Sequence, residues 1–220
     1  MSKPLKTAVL VSGGGTNLQA LIDEEIAMKS RGEECPYNIA LVVSSSAKAF
    51  ALERAKKAEI PAFIASPSLL LGERAKEATR DEKRFAVSDK VLELCKSYGI
   101  EAIVLAGFLT VLGGPIIDVY SGRIINLHPA LLPKFGGVGM FGHHVHEAVL
   151  AAGEKESGIT IHIADAGCDT GAILLQKKVP VEPGDTPETL YARIAPFEHQ
   201  AMVEGLKLLA KRLAGTQFKA

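Results

Sequence analysis

Two polar side chains at the end of an apolar run are the place where this sequence could do chemistry. Residues 122–133 read GRIINLHPALLP. Residues 124–128 have the character of a buried strand, which Pro129 must stop because proline has no N–H to give a ladder. Side chains alternate faces along a strand, so Asn126 and His128 share one face while Leu127 takes the other. A carboxamide can donate to a developing oxyanion, and an imidazole can carry a proton. Side by side they suit attack on an acyl carbon. A lone strand-end histidine is more often satisfied by local backbone; the pairing favours a catalytic reading.

Three other stretches carry candidate groups. Residues 12–17 (SGGGTN) follow a strand-like run and precede a helix-like one, so their N–H groups and the helix dipole would seat a phosphate. The stretch lacks the third glycine of a dinucleotide fingerprint and the Gly-Lys-Ser/Thr of a P-loop. A tight turn with glycines for geometry alone fits the same residues. Asp169, in residues 167–171 (GCDTG), is either a turn aspartate or a carboxylate that faces His128 and holds it protonated and oriented. Cys168 beside it fits a small inert residue better than a nucleophile. His143, His144, His146 and His162 lack a carboxylate or cysteine at a recognised metal spacing, so no metal is expected, and a substrate-facing or solvent role suits them. The charge run 73–84 reads as a solvated face, with Arg84 at its end in reach of an anionic ligand.

These groups need a scaffold to bring them together. Residues 7–12, 39–44, 61–64 and 102–106 read as buried strands, and residues 48–58 and 81–98 as helices between them. A further helix follows residues 16–17, either of which can cap it. In the helix at 81–98, Phe85, Val91, Leu92 and Leu94 are expected to face inward. Residues 66–80 read as polar and irregular. This alternation argues for a doubly wound, mostly parallel α/β sheet with helices on both faces. Ligands in such sheets sit beyond the carboxyl ends of the strands, where residues 13–17, 107–112 and 126–128 all fall. The second half differs. Residues 135–142 hold four glycines in eight positions and read as a mobile loop or lid. Residues 144–152 suit a helix, residues 159–163 and 173–181 an antiparallel pair of strands, and residues 186–213 a closing helix interrupted at Pro196.

Composition narrows the class. Lys and Arg number 25, equal to Asp and Glu at 25, which gives no basis for a nucleic-acid or membrane-surface partner. Three scattered cysteines without a CxxC disfavour a disulfide frame or structural zinc and fit a reducing, cytoplasmic setting. The 220 residues are expected to form one domain, residues 1–220, with no linker dividing it. A homodimer is left open.

The motifs SGGGTNLQALI, VLAGFLTVL, GRIINLHPALLP, GITIHIADAGCDTGAILLQ and EPGDTPETL together resemble the phosphoribosylglycinamide formyltransferases of purine biosynthesis, a branch of the folate-dependent formyltransferases. The likeness runs from about residue 7 to about residue 199. It implies a Rossmann-like formyltransferase fold. It also implies transfer of a formyl group from the co-substrate 10-formyltetrahydrofolate to the amine of glycinamide ribonucleotide. By position, Asn126, His128 and Asp169 match the catalytic residues. Gly15, Thr16 and Asn17 match the substrate phosphate loop, and Glu198 a carboxylate near the substrate amine. Arg84, Leu109, Thr110, Val111 and Leu112 match folate contacts, several through backbone, with Asn126 also facing the folate. Thr110 stands where the family usually has arginine, and the 136–142 loop is longer and richer in glycine than in the commonest members.

The nearest rival is a formyltetrahydrofolate hydrolase, in which water replaces the amine. Such enzymes usually carry a regulatory domain ahead of the catalytic one, and here the first strand is expected within ten residues of the start. A methionyl-tRNA formyltransferase would need a further C-terminal domain and basicity for tRNA. A phosphate- or folate-binding module without catalysis is a third alternative, against which the Asn-His-Asp set argues.

Overall fold

The computed structural model describes residues 3–216. Seven strands form one sheet in the order β3-β2-β1-β4-β5-β6-β7. They are β1 (Leu5–Val11), β2 (Tyr37–Ser44), β3 (Ala62–Ile64), β4 (Ala102–Leu105), β5 (Ile124–His128), β6 (Glu156–Ile163) and β7 (Ile173–Pro180). The first five pair in parallel, and β6 and β7 add antiparallel strands beside β5. The chain runs outward from β1 through β2 to β3, then returns to the other side of β1 as β4. The loops after β1 and β4 therefore part company at one edge of the sheet, where a doubly wound fold opens its crevice.

Among the described residues, seven α-helices cover the sheet: α1 (Thr16–Ser30), α2 (Ala51–Lys57), α3 (Pro67–Leu71), α4 (Arg80–Ser97), α5 (Pro115–Val119), α6 (His143–Ala151) and α7 (Pro187–Thr216). Strand residues divide by parity, as a sheet buried on both faces requires. Val9 and Val11 pack with Leu18 and Leu21 of α1, Val145 of α6 and Leu190 of α7. Ala8 and Leu10 pack with Val87 and Val91 of α4 and Ile116 of α5.

Four local expectations change. Residues 66–80 are not irregular: Ser66 accepts from the Leu69 N–H and Pro67 takes the first turn, so a short helix forms. A 3-10 turn, Gly72–Lys76, follows it. Phe85 does not face inward; it is 38% exposed, its ring beneath the Arg84 guanidinium at 4.7 Å, and Val87 takes the core position instead. Pro196 sits inside α7 without ending it. Ile194 on one side and Ala201 and Met202 on the other are buried in one core, and that packing outweighs the lost backbone bond. Neither Thr16 nor Asn17 caps α1: the N-cap is Gly15, left-handed at φ 71°, with no side chain closing the turn.

Candidate active site

The uncapped start of α1 bears directly on the glycine loop. First-turn N–H groups without a side-chain acceptor are available to an anion. Gly15 is needed there for more than its φ, because a Cβ would lie 2.5 Å from that of Ala51. Two residues on, Asn17 Nδ2 donates to Glu198 Oε2 at 3.4 Å, while Asn17 Oδ1 is buried without a partner. Burial pushes the Glu198 carboxyl pKa upward. An unpaired acceptor and a half-buried carboxylate at one spot suit a ligand rich in N–H donors, such as an amine.

Ser12 ties this loop to the next one. Its hydroxyl accepts from the Leu109 N–H at 2.9 Å and bonds the Ser45 hydroxyl at 2.6 Å. The loops after β1, β2 and β4 are thereby fixed to one another. Leu109 spends its N–H on this tie and its side chain is 76% exposed. Thr110, Val111 and Leu112 instead line a cleft of about 110 Å³ together with Asn126, His162, Cys168 and Asp169. No lysine or arginine lines it. Arg84 lies against Gly113, at the end of the same segment. Its Nε comes within 3.3 Å of Asp81 at an angle that makes no hydrogen bond. A second cavity of about 210 Å³, around Phe135, Val149 and Ser157, contains none of the candidate residues.

β5 and β6 place the polar cluster. Their antiparallel register sets Asn126 opposite His162 and His128 opposite Thr160, and directly opposed residues share a face. Asn126 Nδ2 bonds His162 Nε2 at 3.1 Å, and His162 Nδ1 lies 3.0 Å from the Ile163 carbonyl. A carbonyl only accepts, so Nδ1 carries the proton and Nε2 receives the Asn126 bond. Thr160 fixes the chain beyond His128: its hydroxyl donates to the Ala130 carbonyl and accepts from the Leu132 N–H.

Asp169 meets both imidazoles. Its Oδ2 is 3.5 Å from His128 Nδ1, and its Oδ1 is 3.5 Å from His162 Nε2. The residue is left-handed at φ 59°, a strained backbone of the kind that collects at functional sites. Asp165 Oδ1 accepts from the Gly167 N–H and the Thr170 hydroxyl, which shapes the loop carrying Asp169. Asp169 Oδ2 also accepts from the Gly137 N–H at 3.1 Å, anchoring the glycine-rich loop whose Val138 and Phe141 are exposed.

Asn126 and His128 share one face of β5, as expected, but His128 is buried and its Nε2 donates to the Phe135 carbonyl at 2.8 Å. One expectation about it is corrected: Asp169 does not hold it protonated. Burial lowers the imidazole pKa below its usual 6.5 by more than the carboxylate raises it, so the ring is neutral near pH 7. Asp169 itself stays ionised, its pKa below the usual 3.8: burial alone would raise it, but the neighbouring His162 and His128 imidazoles and the Gly137 N–H together outweigh that. Replacing Asp169 by Asn removes the larger of the two influences that raise the His128 pKa, the other being the Phe135 carbonyl. In an NMR titration the His128 midpoint of Asp169→Asn is therefore expected below that of the parent protein, itself below 6.5.

His162 is the residue that the sequence undersold. Of the substrate-facing and solvent roles expected for it, burial excludes the second, and it lines the cleft beside Asn126. Its signal was present, since Thr160 and His162 are two apart on one strand, but the register that sets them against β5 is not written in the sequence. Of the other histidines, His143 and His144 pair with Glu147, and His146 is buried against the Tyr191 ring at 5.5 Å. Among the described residues, no group of three His, Cys, Asp or Glu is placed to hold a metal.

Comparison with known proteins assigns the chain to a family. Residues 5–206 match the formyl transferase family, and the chain belongs to it. Among its relatives is the phosphoribosylglycinamide formyltransferase of Haemophilus influenzae, 35% identical over 199 residues, 89% of this chain and 82% of that protein. The Bacillus subtilis enzyme of the same name is 33% identical, with 89% of each chain covered. Glycinamide ribonucleotide transformylase 1 from Symbiobacterium toebii superposes with a TM-score of 0.78 at 35% identity, covering 94% of this chain and 88% of that one. Within the family, then, the chain stands with the phosphoribosylglycinamide formyltransferases. It is also 43% identical over 212 residues to the trifunctional purine biosynthetic protein adenosine-3 of Drosophila pseudoobscura pseudoobscura, spanning 96% of this chain and 14% of that protein.

Proposed function

We propose that the protein transfers a formyl group from 10-formyltetrahydrofolate to the amine of glycinamide ribonucleotide in purine biosynthesis. Both are small-molecule substrates, and the reading calls for no nucleic acid, membrane or metal. A single folded domain working in the cytoplasm belongs to the same reading. The observation that carries it is the polar chain Asn126–His162–Asp169–His128 at the carboxyl edge of β5. It lines a cleft with the segment after β4, which Ser12 ties to the loop ahead of the uncapped helix start.

The ribose phosphate sits on residues 13–17 and the amine lies toward Asn17 Oδ1 and Glu198. The amine nitrogen attacks the formyl carbon. Asn126 Nδ2 keeps one N–H on His162 and turns the other to the oxygen that gains charge. A carboxamide has two such hydrogens, so the role costs no existing bond. The proton shed by the attacking nitrogen passes, through water where needed, into the Asp169–His128 pair. It returns to the folate nitrogen as the carbon–nitrogen bond breaks, so His128 cycles from neutral to charged and back. When it is charged, its Nδ1–H faces Asp169, which offsets the cost of burial.

Spectrophotometric release of tetrahydrofolate from the formyl donor tests this. Release that requires glycinamide ribonucleotide is the expected result. Release without the amine would instead make the protein a hydrolase, and donor binding without release would make it a binding module.

A further inference from the structure

We infer that Arg54 of α2 is a positioning residue for the phosphate seat, and that it works by holding the Gly14 carbonyl turned away from the anion. The inference rests on the reading of residues 13–17 as the seat for the substrate phosphate. Arg54 Nε donates to the Gly14 carbonyl at 2.8 Å, and the Ala51 N–H donates to the Gly13 carbonyl at 3.1 Å. A trans peptide is planar, with its C=O and the following N–H pointing in opposite directions. Each carbonyl drawn toward α2 therefore aims the next N–H the other way. The Gly13 carbonyl sets the Gly14 N–H, and the Gly14 carbonyl sets the Gly15 N–H.

Three consecutive glycines would not keep that arrangement unaided. Each can cross to positive φ at little cost, and a carbonyl swung into the seat would present lone pairs to a phosphate. α2 is placed to prevent the swing, since Gly15 already lies against Ala51 with no room for a side chain. The guanidinium is itself fixed at three points. Nη1 donates to Gln19 Oε1 at 3.0 Å on the first turns of α1, and the group lies 5.1 Å over the Phe50 ring. A planar fork meets these demands together, whereas a lysine ammonium would keep the charge and lose the geometry.

Arg54→Lys and Arg54→Met separate geometry from charge. Both are expected to raise KM for glycinamide ribonucleotide about tenfold, with kcat and KM for the formyl donor changed by less than about twofold. Wild-type activity in Arg54→Lys would overturn the positioning role and leave only a charge effect, and wild-type activity in both would remove Arg54 altogether. Titration with inorganic phosphate, followed through the Gly14 and Gly15 amide signals, gives a readout independent of formyl transfer. The parent protein is expected to shift both amides, and Arg54→Lys to need about tenfold more phosphate. If the parent shows no shift, the phosphate seat itself fails. If parent and Arg54→Lys saturate alike, only the inference about Arg54 fails. Unchanged amide signals elsewhere in the sheet distinguish a local effect from loss of fold.

Discussion

Asn126→Ala is expected to lower kcat by about 10²–10³ and to leave KM for both substrates nearly unchanged, because the lost bond is made to charge that exists only as the amine adds. The structure makes this a local deletion. Asn126 is half-buried at the end of β5, and its side chain bonds one protein atom, His162 Nε2. Removing it leaves the sheet pairing of β5 with β4 and β6 intact. His162 loses a donor at a buried nitrogen, so its orientation loosens as well. The two side chains should therefore couple: in an Asn126→Ala, His162→Ala cycle the losses are expected to fall well short of multiplying. Single-turnover rates measured at saturating substrate check both points. An Asn126→Ala enzyme within about tenfold of the parent rate would take the carboxamide out of the donor role.

Much of this site could be read from strand ends, and the reason is physical. A buried parallel strand tolerates few polar side chains, so Asn126 and His128 stand out against Ile124, Ile125 and Leu127. Asp169 was visible for a different cause, because a turn between two strands announces itself through glycines. What the sequence hides is anything set by register or by a neighbour distant in the chain. His162 meets Asn126 across 36 positions, and Arg54 reaches Gly14 across 40. No local pattern encodes either. The protonation of His128 is hidden for a related reason: a facing carboxylate can be guessed from the sequence, but the depth at which the pair is buried cannot. In the fold, α3 leaves little trace in the sequence because its signal is one serine and one proline rather than an apolar period.

Thr110 bears on how the two substrates are held. The cleft that it lines with Val111 and Leu112 carries no cation. The guanidinium against this segment is that of Arg84, three residues further on at Gly113. On the proposed function, phosphate recognition falls to backbone N–H groups held by α2, and the acyl chemistry to the Asn126–His162–Asp169–His128 cluster, whose one carboxylate is Asp169. A positive group in the cleft would stabilise an oxyanion but would also draw the negative Asp169 away from its two imidazoles. With a threonine there, the carboxylate faces His128 and His162 without competition.

Asp169→Asn is the second substitution with a large expected effect, and it acts on both catalysis and acid stability. The amide keeps an oxygen for the Gly137 N–H but has no charge to receive a proton or to balance one on His128. The proton relay is lost, and kcat is expected to fall by about 10²–10⁴. The sign of the stability effect follows from the folded pKa values. Asp169 is held below its usual 3.8, so its contribution is full above that pH and disappears as pH falls through the folded value. His128 is held below 6.5, so the unfolded chain binds a proton there before the native protein does, and acidification through 6.5 also favours unfolding. In Asp169→Asn the first loss is absent and the second is larger, because the carboxylate no longer raises the His128 pKa. Denaturant midpoints should therefore fall more steeply for the variant than for the parent between about pH 7 and 5, and less steeply below about pH 4. Parallel curves over both ranges would show that Asp169 and His128 do not share a proton economy, and the relay would have to be drawn through other groups.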